Sequence, residues 1–243
     1  MRAGPVRVAG LNGVRAAIFD FNGTITDDEV LQYEIYAELA AELLGVELTL
    51  ADYLSELAGR SDPAIVDALL ERAHAVDAAD AAARERLLAE RLRRYRDRIA
   101  GAPPVRSGTA ALIEALAASR VPLAVATGAL RSEVEAVLSA AGLADAFAAI
   151  VSIEDVGRGK PDPESFLRAY DLLKASTESP LEPADVVVFE DSPFGIAAAR
   201  SAGMRCVAAH LTSEPAHPPD AVLDALGPEL LSTNQARRPP PTP

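Results

Sequence analysis

The chain has 243 residues, of which 49% are hydrophobic and 24% charged, and it carries a formal net charge of -13. This length fits one large domain or a core with a modest insertion, since domains usually have about 100–200 residues. The negative charge would repel a phosphate backbone, so we expect no nucleic-acid partner. Apolar runs stay well below the roughly 20 residues that span a bilayer, which excludes a membrane-embedded protein.

The N-terminal sequence MRAGPVRVAGLNGVRAAIFD lacks the long apolar run of a signal peptide, so we expect a cytoplasmic protein. The one cysteine, Cys206, excludes an intrachain disulfide. It lies in the apolar stretch MRCVAA, which predicts a packed, unreactive thiol.

The first predicted strand covers residues 16 to 19, Ala-Ala-Ile-Phe, and ends at the polar turn of Asp20, Asn22 and Gly23. A short apolar run that leads into such a turn is typical of a buried parallel strand. From Asp28 to about Leu44, apolar residues recur at helical spacing.

Residues 52 to 100 continue the helical pattern, with interruptions at Gly59, Ser61 and Pro63. Arginines and glutamates alternate along residues 84 to 98, and this pattern predicts a solvated helix face.

Beyond Pro104, helices alternate with four short apolar runs that we predict to be strands: Val121 to Ala126, Ala149 to Ser152, Asp185 to Phe189, and Arg205 to Ala209. This alternation indicates a parallel sheet with right-handed crossovers. The predicted fold is therefore α/β, a Rossmann-like parallel sheet core with an inserted α-helical cap. We place the core at residues 1–31 and 101–243 and the cap at 32–100, with about the last 15 residues disordered.

Ligands of such sheets bind at the carboxyl ends of the strands, where the polar residues that follow each strand converge. In this chain the converging residues are Asp20, Asn22, Thr127, Gly128, Lys160, Glu190 and Asp191. Phosphoryl transfer needs such a set, because its catalysis rests on positioning and on neutralising charge at the transferring oxygens. Mg²⁺ usually takes one or two carboxylates with further oxygen ligands, which suits Asp20 and Asp191.

Four segments in order carry a family resemblance: DFNGT at 20–24, ATG at 126–128, GKPDPE at 159–164, and FEDSPFGIAAARSAGM at 189–204. They resemble the four motifs of the haloacid dehalogenase superfamily, in the subgroup with a helical cap that includes phosphoglycolate phosphatase and β-phosphoglucomutase. The resemblance covers about residues 14 to 213.

This resemblance implies a role for each of the converging residues. Asp20 would be the nucleophile that forms an aspartyl-phosphate, and Lys160 with Thr127 and Gly128 would bind the phosphoryl group. Mg²⁺ would be held by Asp20, the backbone carbonyl of Asn22, and Asp191, with Glu190 beside them. The substrate would be a small phosphorylated metabolite, and Arg60 of the cap falls where a substrate-specificity loop is expected.

Asn22 departs from the family pattern, because phosphatases and mutases of the superfamily usually carry an aspartate there as general acid and base. Loss of such help commonly lowers the rate about 10²–10⁴-fold. Substrates with good leaving groups, such as acyl phosphates, would lose least.

Two hypotheses follow: a phosphatase that acts through aspartyl-phosphate, or a weakened homologue that binds a phosphorylated ligand. Asp27, Asp28 or Glu29 could supply the missing proton, although first-turn charge effects also explain acids at these positions.

Three related chemistries are weaker hypotheses. Haloacid dehalogenases need no metal, yet Glu190 and Asp191 are both present. Phosphonatases form a Schiff base with a cap lysine, and residues 32 to 100 contain no lysine. β-Phosphoglucomutases use a cap histidine and lysine, whereas Gln32 occupies the expected histidine position.

Overall fold

A computed structural model describes residues 6–73, 81–177, 179–211, 214–216 and 218–233. The strands are β1 Val6–Val8, β2 Leu11–Val14, β3 Ala16–Phe19, β4 Leu123–Ala126, β5 Ala149–Val151, β6 Val186–Glu190, β7 Arg205–Ala209, β8 Ala221–Leu223 and β9 Leu231–Thr233. The helices are α1 Glu29–Leu39, α2 Leu50–Asp52, α3 Asp62–Arg72, α4 Ala81–Ile99, α5 Ser107–Ala118, α6 Arg131–Ala140, α7 Glu164–Ala175 and α8 Pro193–Ser201. π-Helical turns at Ala40–Leu44 and Tyr53–Leu57 extend α1 and α2.

Six strands form a parallel sheet in the order β5-β4-β3-β6-β7-β8. All five predicted strands are present: β3 and β7 have the predicted bounds, and the ends of β4, β5 and β6 shift by one or two residues. The predicted α/β fold is confirmed, because strands alternate with helices and the sheet is parallel throughout.

Both faces of the sheet are covered, which is why β3, β4 and β6 read as continuous apolar runs. Successive side chains of a strand point to opposite faces. Ala17 and Phe19 therefore pack in the layer under α5 and α6, whereas Ala16 and Ile18 pack in the layer under α7 and α8. Cys206 is buried in the second layer, as its apolar surroundings predicted.

The helices α1 to α4 lie between β3 and β4 in the chain and form the predicted cap. The two linkers that join the cap to the core pair with each other: Thr26 and Val105 form an antiparallel bridge, and the Asp27 N–H donates to the Pro104 carbonyl at 2.7 Å. Arg106 reinforces the junction through its Nε, which donates to the carbonyl of Gly23 at 3.0 Å. The domain limits of 31/32 and 100/101 stay predictions.

Pro63 lies in the first turn of α3 and does not interrupt a helix, because proline is well tolerated where the backbone N–H has no helical partner. A second small sheet, in the order β2-β1-β9, was not predicted from the sequence. Its strands have only three or four residues, too few for an alternating pattern to be distinctive. β9 pairs with β1, so the expected disorder of about the last 15 residues was wrong for residues 229–233, and residues 234–243 lie outside the described part.

Candidate active site

Asp20 lies at the centre of the carboxyl edge of the sheet, directly after β3 and between the ends of β4 and β6. Its side chain is buried, and Lys160 Nζ donates a hydrogen bond to its Oδ1. Burial raises the pKa of Asp20 to about 7, with the charge of Lys160 opposing this effect and that of Glu190 adding to it. A cation bound beside Asp20 would lower this pKa and favour the ionised carboxylate.

Lys160 bridges two carboxylates, because its Nζ also donates to Glu190 Oε1 at 2.6 Å. Its side chain is only 7% exposed, and its ammonium lies 4.8 Å from the ring centre of Phe166. Burial alone would lower the pKa of Lys160, but the charges of Asp20 and Glu190 outweigh burial and hold the pKa above its usual value. Lys160 is therefore a permanent cation beside Asp20.

Glu190 ends β6 and is anchored on both carboxylate oxygens. Oε2 accepts from the backbone N–H groups of Asp191 and Ser192 at 2.9 and 2.8 Å, and from the Ser192 hydroxyl at 3.0 Å. The carboxylate packs against α8 so closely that a Cβ at Gly195 would lie 1.7 Å from Oε1. These contacts make Glu190 the support of Lys160 and leave little room for it to bind a cation directly.

Asp191 is 3% exposed and faces the turn that follows β3. The Thr24 hydroxyl donates to its Oδ1 at 3.1 Å, and a Cβ at Gly23 would lie 2.2 Å from its Oδ2. Gly23 also has a φ of +81°, a conformation that favours glycine. Burial, together with the charges of Glu190 and Asp20, raises the pKa of Asp191 well above its usual value.

Thr127 and Gly128 follow β4, at the same edge of the sheet. Thr127 is buried and accepts a hydrogen bond from the Ala129 N–H at 3.0 Å. A Cβ at Gly128 would lie 3.0 Å from Ser61 Cα, so glycine lets the cap loop approach the strand end. Arg60 precedes Ser61, is exposed, and lines the cavity under the cap.

The carboxylates of the site fit Mg²⁺, because their negative charges exceed the positive charge that the protein supplies there. Asp20, Glu190 and Asp191 are buried around a single ammonium group, that of Lys160. Within the described residues, no three side chains of His, Cys, Asp or Glu form a preassembled metal cluster. A cation here would therefore combine two carboxylates with backbone and water oxygens, the mixture that Mg²⁺ usually takes.

The side-chain amide of Asn22 donates to two further carboxyl groups. Its Nδ2 donates to Asp28 Oδ2 at 3.2 Å and to Glu133 Oε1 at 3.4 Å. Asp28 also accepts from Thr26 Oγ1 at 2.5 Å and from Tyr95 at 2.6 Å, so both of its oxygens are occupied.

Arg91 was missed by the sequence interpretation, which assigned all the arginines of residues 84 to 98 to a solvated face. It is 1% exposed, lines the cavity, and donates to Glu133 Oε2 of helix α6 and to the side-chain oxygen Oε1 of Gln32. The prediction was wrong here because Leu87 and Tyr95 lie one helical turn away on either side and set the buried stripe of α4. That spacing was the available signal in the sequence.

The charge of Arg91 is compensated inside the protein. Its Nη1 lies 3.4 Å from Asp62 Oδ2, and its guanidinium carbon lies 4.9 Å from the ring centre of Tyr95. Burial would lower the pKa of Arg91, but Asp62, Tyr36, Tyr95 and Asp28 together outweigh burial and raise it. The Arg91–Glu133 ion pair therefore joins helix α4 of the cap to helix α6 of the core.

The cavity beneath the cap contains all the predicted site residues, together with Glu29 and Arg91. Its volume is about 50 Å³. Small-molecule pockets usually have about 300–1,000 Å³, so the cap is closed tightly over the site.

The family model for haloacid dehalogenase-like hydrolases matches residues 14–203. The chain belongs to this family. It is a hydrolase of the subgroup with an inserted helical cap, as the four sequence motifs implied. No helix among the described residues is both long and apolar enough to cross a membrane.

Two curated relatives and one solved structure show the range of similarity. Fructose-1-phosphate phosphatase YqaB of Escherichia coli is 32% identical over 203 residues, which cover 83% of this chain and 96% of that protein. Validoxylamine A 7'-phosphate phosphatase of Streptomyces hygroscopicus subsp. limoneus is 39% identical over 100 residues, so the match spans 41% of this chain and 44% of that relative. A mutant of CbbY from Rhodobacter sphaeroides, in complex with xylulose-(1,5)bisphosphate, has a TM-score of 0.75 at 26% identity and covers 87% of this chain and 94% of that one.

Proposed function

We propose that the protein is a Mg²⁺-dependent phosphatase that hydrolyses a small phosphorylated metabolite through an aspartyl-phosphate on Asp20. One observation carries the proposal: Lys160 bridges Asp20 and Glu190 in the same buried cavity that holds Asp191 and Thr127. A nucleophilic carboxylate, a phosphate-binding cation and a metal-binding carboxylate are thus within reach of one phosphoryl group. The names of the two phosphatase relatives support a phosphorylated metabolite, and a sugar phosphate in particular.

Each residue has a distinct role in the proposed reaction. Asp20 attacks phosphorus, and the ammonium of Lys160 neutralises charge on the phosphoryl oxygens. Thr127 and the backbone N–H of Gly128 bind the remaining oxygens. Asp20, the Asn22 carbonyl and Asp191 would hold Mg²⁺, which supplies charge neutralisation at the phosphoryl group when bound.

Substrate entry requires the cap to move, because a cavity of about 50 Å³ holds no sugar phosphate. The cap linkers pair at Thr26 and Val105, which places the hinge next to the turn that carries Asn22. Closure then excludes water from the reaction.

The second candidate, a weakened homologue that binds a phosphorylated ligand, is favoured by the position of the Asn22 amide. Its contacts with Asp28 and Glu133 use the side chain for structure, and an amide exchanges no proton at ordinary pH. This candidate predicts binding of phosphorylated sugars with little or no turnover.

Phosphate release from sugar, acyl and nucleotide phosphates distinguishes the two candidates, with wild type, Asn22→Asp and Asp20→Ala assayed in Mg²⁺. Wild-type turnover that Asp20→Ala abolishes supports the phosphatase. Turnover that is absent in wild type and present in Asn22→Asp supports the binding protein.

A further inference from the structure

Glu29, in the first turn of α1, is an acidic residue of the cavity that the proposed reaction does not yet use. The cavity brings it together with Asp20 and Asp191. Its Oε1 is buried and has no hydrogen-bond partner. A buried carboxylate oxygen without a donor is unfavourable when charged, and this favours the protonated form.

The other carboxyl groups near Asn22 are committed to hydrogen bonds or ion pairs. Asp28 accepts from Asn22, Thr26, Gln32 and Tyr95. Asp62 and Glu133 are paired with Arg91, and Asp27 pairs with Arg106 at 2.8 Å with its side chain 68% exposed. Each of these four carboxyl groups therefore already has a hydrogen-bond donor or a cation of the protein as its partner, although Asp62 Oδ2 itself accepts no hydrogen bond.

The groups around Glu29 act in the opposite direction. Burial raises the pKa of Glu29, the Tyr53 hydroxyl lowers it by hydrogen bonding, the charge of Asp28 raises it, and that of Arg106 lowers it, with a net upward shift. Asp191, across the cavity, is also influenced by the charge of Glu29.

We propose that Glu29 is the general acid and base of this chain, in place of the side chain at Asn22. The inference rests on the proposed phosphatase function and deepens it. Asp20 Oδ attacks phosphorus, the bond from phosphorus to the leaving oxygen breaks, and that oxygen takes the bonding electron pair and the proton of Glu29. The alcohol leaves, and Glu29 remains as a carboxylate.

The second half of the reaction restores both carboxyl groups. Glu29 removes a proton from water while the water oxygen attacks phosphorus of the aspartyl-phosphate. The acyl-phosphate bond breaks, Asp20 regains its carboxylate, and inorganic phosphate is released. Atoms and charge balance over the cycle without any further reactant.

Leaving-group dependence tests the assignment. Aryl phosphates from p-nitrophenyl phosphate to phenyl phosphate span good to poor leaving groups, and only the poor ones need a proton. Glu29→Gln should lower kcat/KM for phenyl phosphate by about 10²–10⁴-fold and leave that for p-nitrophenyl phosphate nearly unchanged. Asp27→Asn is the matched control, since it makes the same chemical change two residues away at an exposed ion pair. It should leave kcat/KM for both substrates unchanged.

The pH profile and the double variant supply independent readouts. In wild type, kcat/KM for phenyl phosphate should fall as pH rises through the elevated pKa of Glu29, and Glu29→Gln should remove this fall. In an Asn22→Asp background a new acid is present, so Glu29→Gln should have a smaller effect. If Glu29 had only a structural role, Glu29→Gln would lower kcat/KM equally for both substrates.

The outcomes separate this inference from the proposed function. If wild type turns over and Glu29→Gln lowers kcat/KM equally for all aryl phosphates, or not at all, the role of Glu29 is overturned and the phosphatase function stands. Absence of turnover in both wild type and Asn22→Asp overturns both. Activity in Asn22→Asp alone overturns the role of Glu29 and favours the binding protein.

Discussion

Asn22 donates its side-chain amide to Asp28 Oδ2 at 3.2 Å, at the turn where the family usually places a proton-transferring aspartate. The same amide reaches Glu133 at 3.4 Å. The amide thus lies between two carboxylates, one directly before helix α1 and one on helix α6. An aspartate at this position would add a third negative charge to the pair.

We expect Asn22→Asp to lower the stability of the protein in a pH-dependent way. The pKa of the new carboxyl would rise in the folded state, because Asp28 and Glu133 face it. Below the unfolded-state pKa of about 3.9 the new carboxyl is protonated in both states, so it does not change the free energy of unfolding. As pH rises from there through the folded-state pKa, the free energy of unfolding decreases by up to about 1.4 kcal/mol per pH unit. Urea unfolding of wild type and variant at pH 5 and pH 8 measures this, and a difference that is the same at both pH values would contradict it.

The Arg91–Glu133 ion pair should be a main determinant of cap attachment. Arg91→Met leaves Glu133 and Asp62 buried without their cation, which commonly costs about 3–5 kcal/mol. Arg93→Met is the matched control on the same helix, because Arg93 is 59% exposed and its surface pairs contribute about 0–1 kcal/mol. Equilibrium unfolding in denaturant should separate the two variants clearly, and equal losses would argue against a buried pair.

Gly23 is expected to set the position of Asp191. Gly23→Ala would bring a Cβ within 2.2 Å of Asp191 Oδ2 and would also strain a backbone with a φ of +81°. Gly45→Ala tests the backbone effect alone, since Gly45 has a φ of +67° and an added Cβ would meet nothing within 4 Å. Both variants should lose about 1–2 kcal/mol from strain, whereas only Gly23→Ala should weaken Mg²⁺ binding, measured as the Mg²⁺ concentration that gives half-maximal thermal stabilisation. Identical Mg²⁺ responses would show that this contact does not matter.

Mg²⁺ should stabilise the protein increasingly as pH rises. Without metal, burial raises the pKa of Asp20 to about 7. The stability that the protonated carboxyl of Asp20 contributes is therefore fully present below the unfolded-state pKa of about 3.9, and it is lost as pH rises toward 7. A bound cation relieves this loss by pairing with the carboxylates. The Tm difference between Mg²⁺ and EDTA should therefore increase from pH 5 to pH 8, and Asp191→Asn should reduce it. A pH-independent difference would mean that the cation binds elsewhere.

The core of the fold could be predicted from the sequence because buried parallel strands leave a strong pattern. Ala16 to Phe19 is apolar throughout and ends at Asp20, so both the strand and its polar terminus were visible. Because the carboxyl ends of neighbouring strands meet, Asp20, Thr127, Glu190 and Asp191 were expected to converge. The small sheet was not predicted, since β1 and β9 have three residues each and their pairing joins opposite ends of the chain.

The cap side of the site was less predictable, because charged residues are usually assigned to solvent. Arg91 is buried through its helical register with Leu87 and Tyr95, and Glu133 is buried through the long-range pair that Arg91 supplies. The structure also distinguishes Glu29 from Asp27 and Asp28, which the sequence left equivalent. Asp28 is saturated with donors, Asp27 is paired at the surface, and Glu29 keeps an oxygen without a partner.

The proposed phosphatase reaction requires that Asp20 becomes phosphorylated during turnover. Rapid quenching in acid after mixing the protein with a substrate and Mg²⁺, followed by mass spectrometry of the proteolytic peptides, measures this directly. We predict a phosphoryl group on the peptide that contains Asp20, and its absence in Asp20→Asn. Turnover that proceeds with no phosphorylated intermediate, or with the phosphoryl group on another residue, would contradict it.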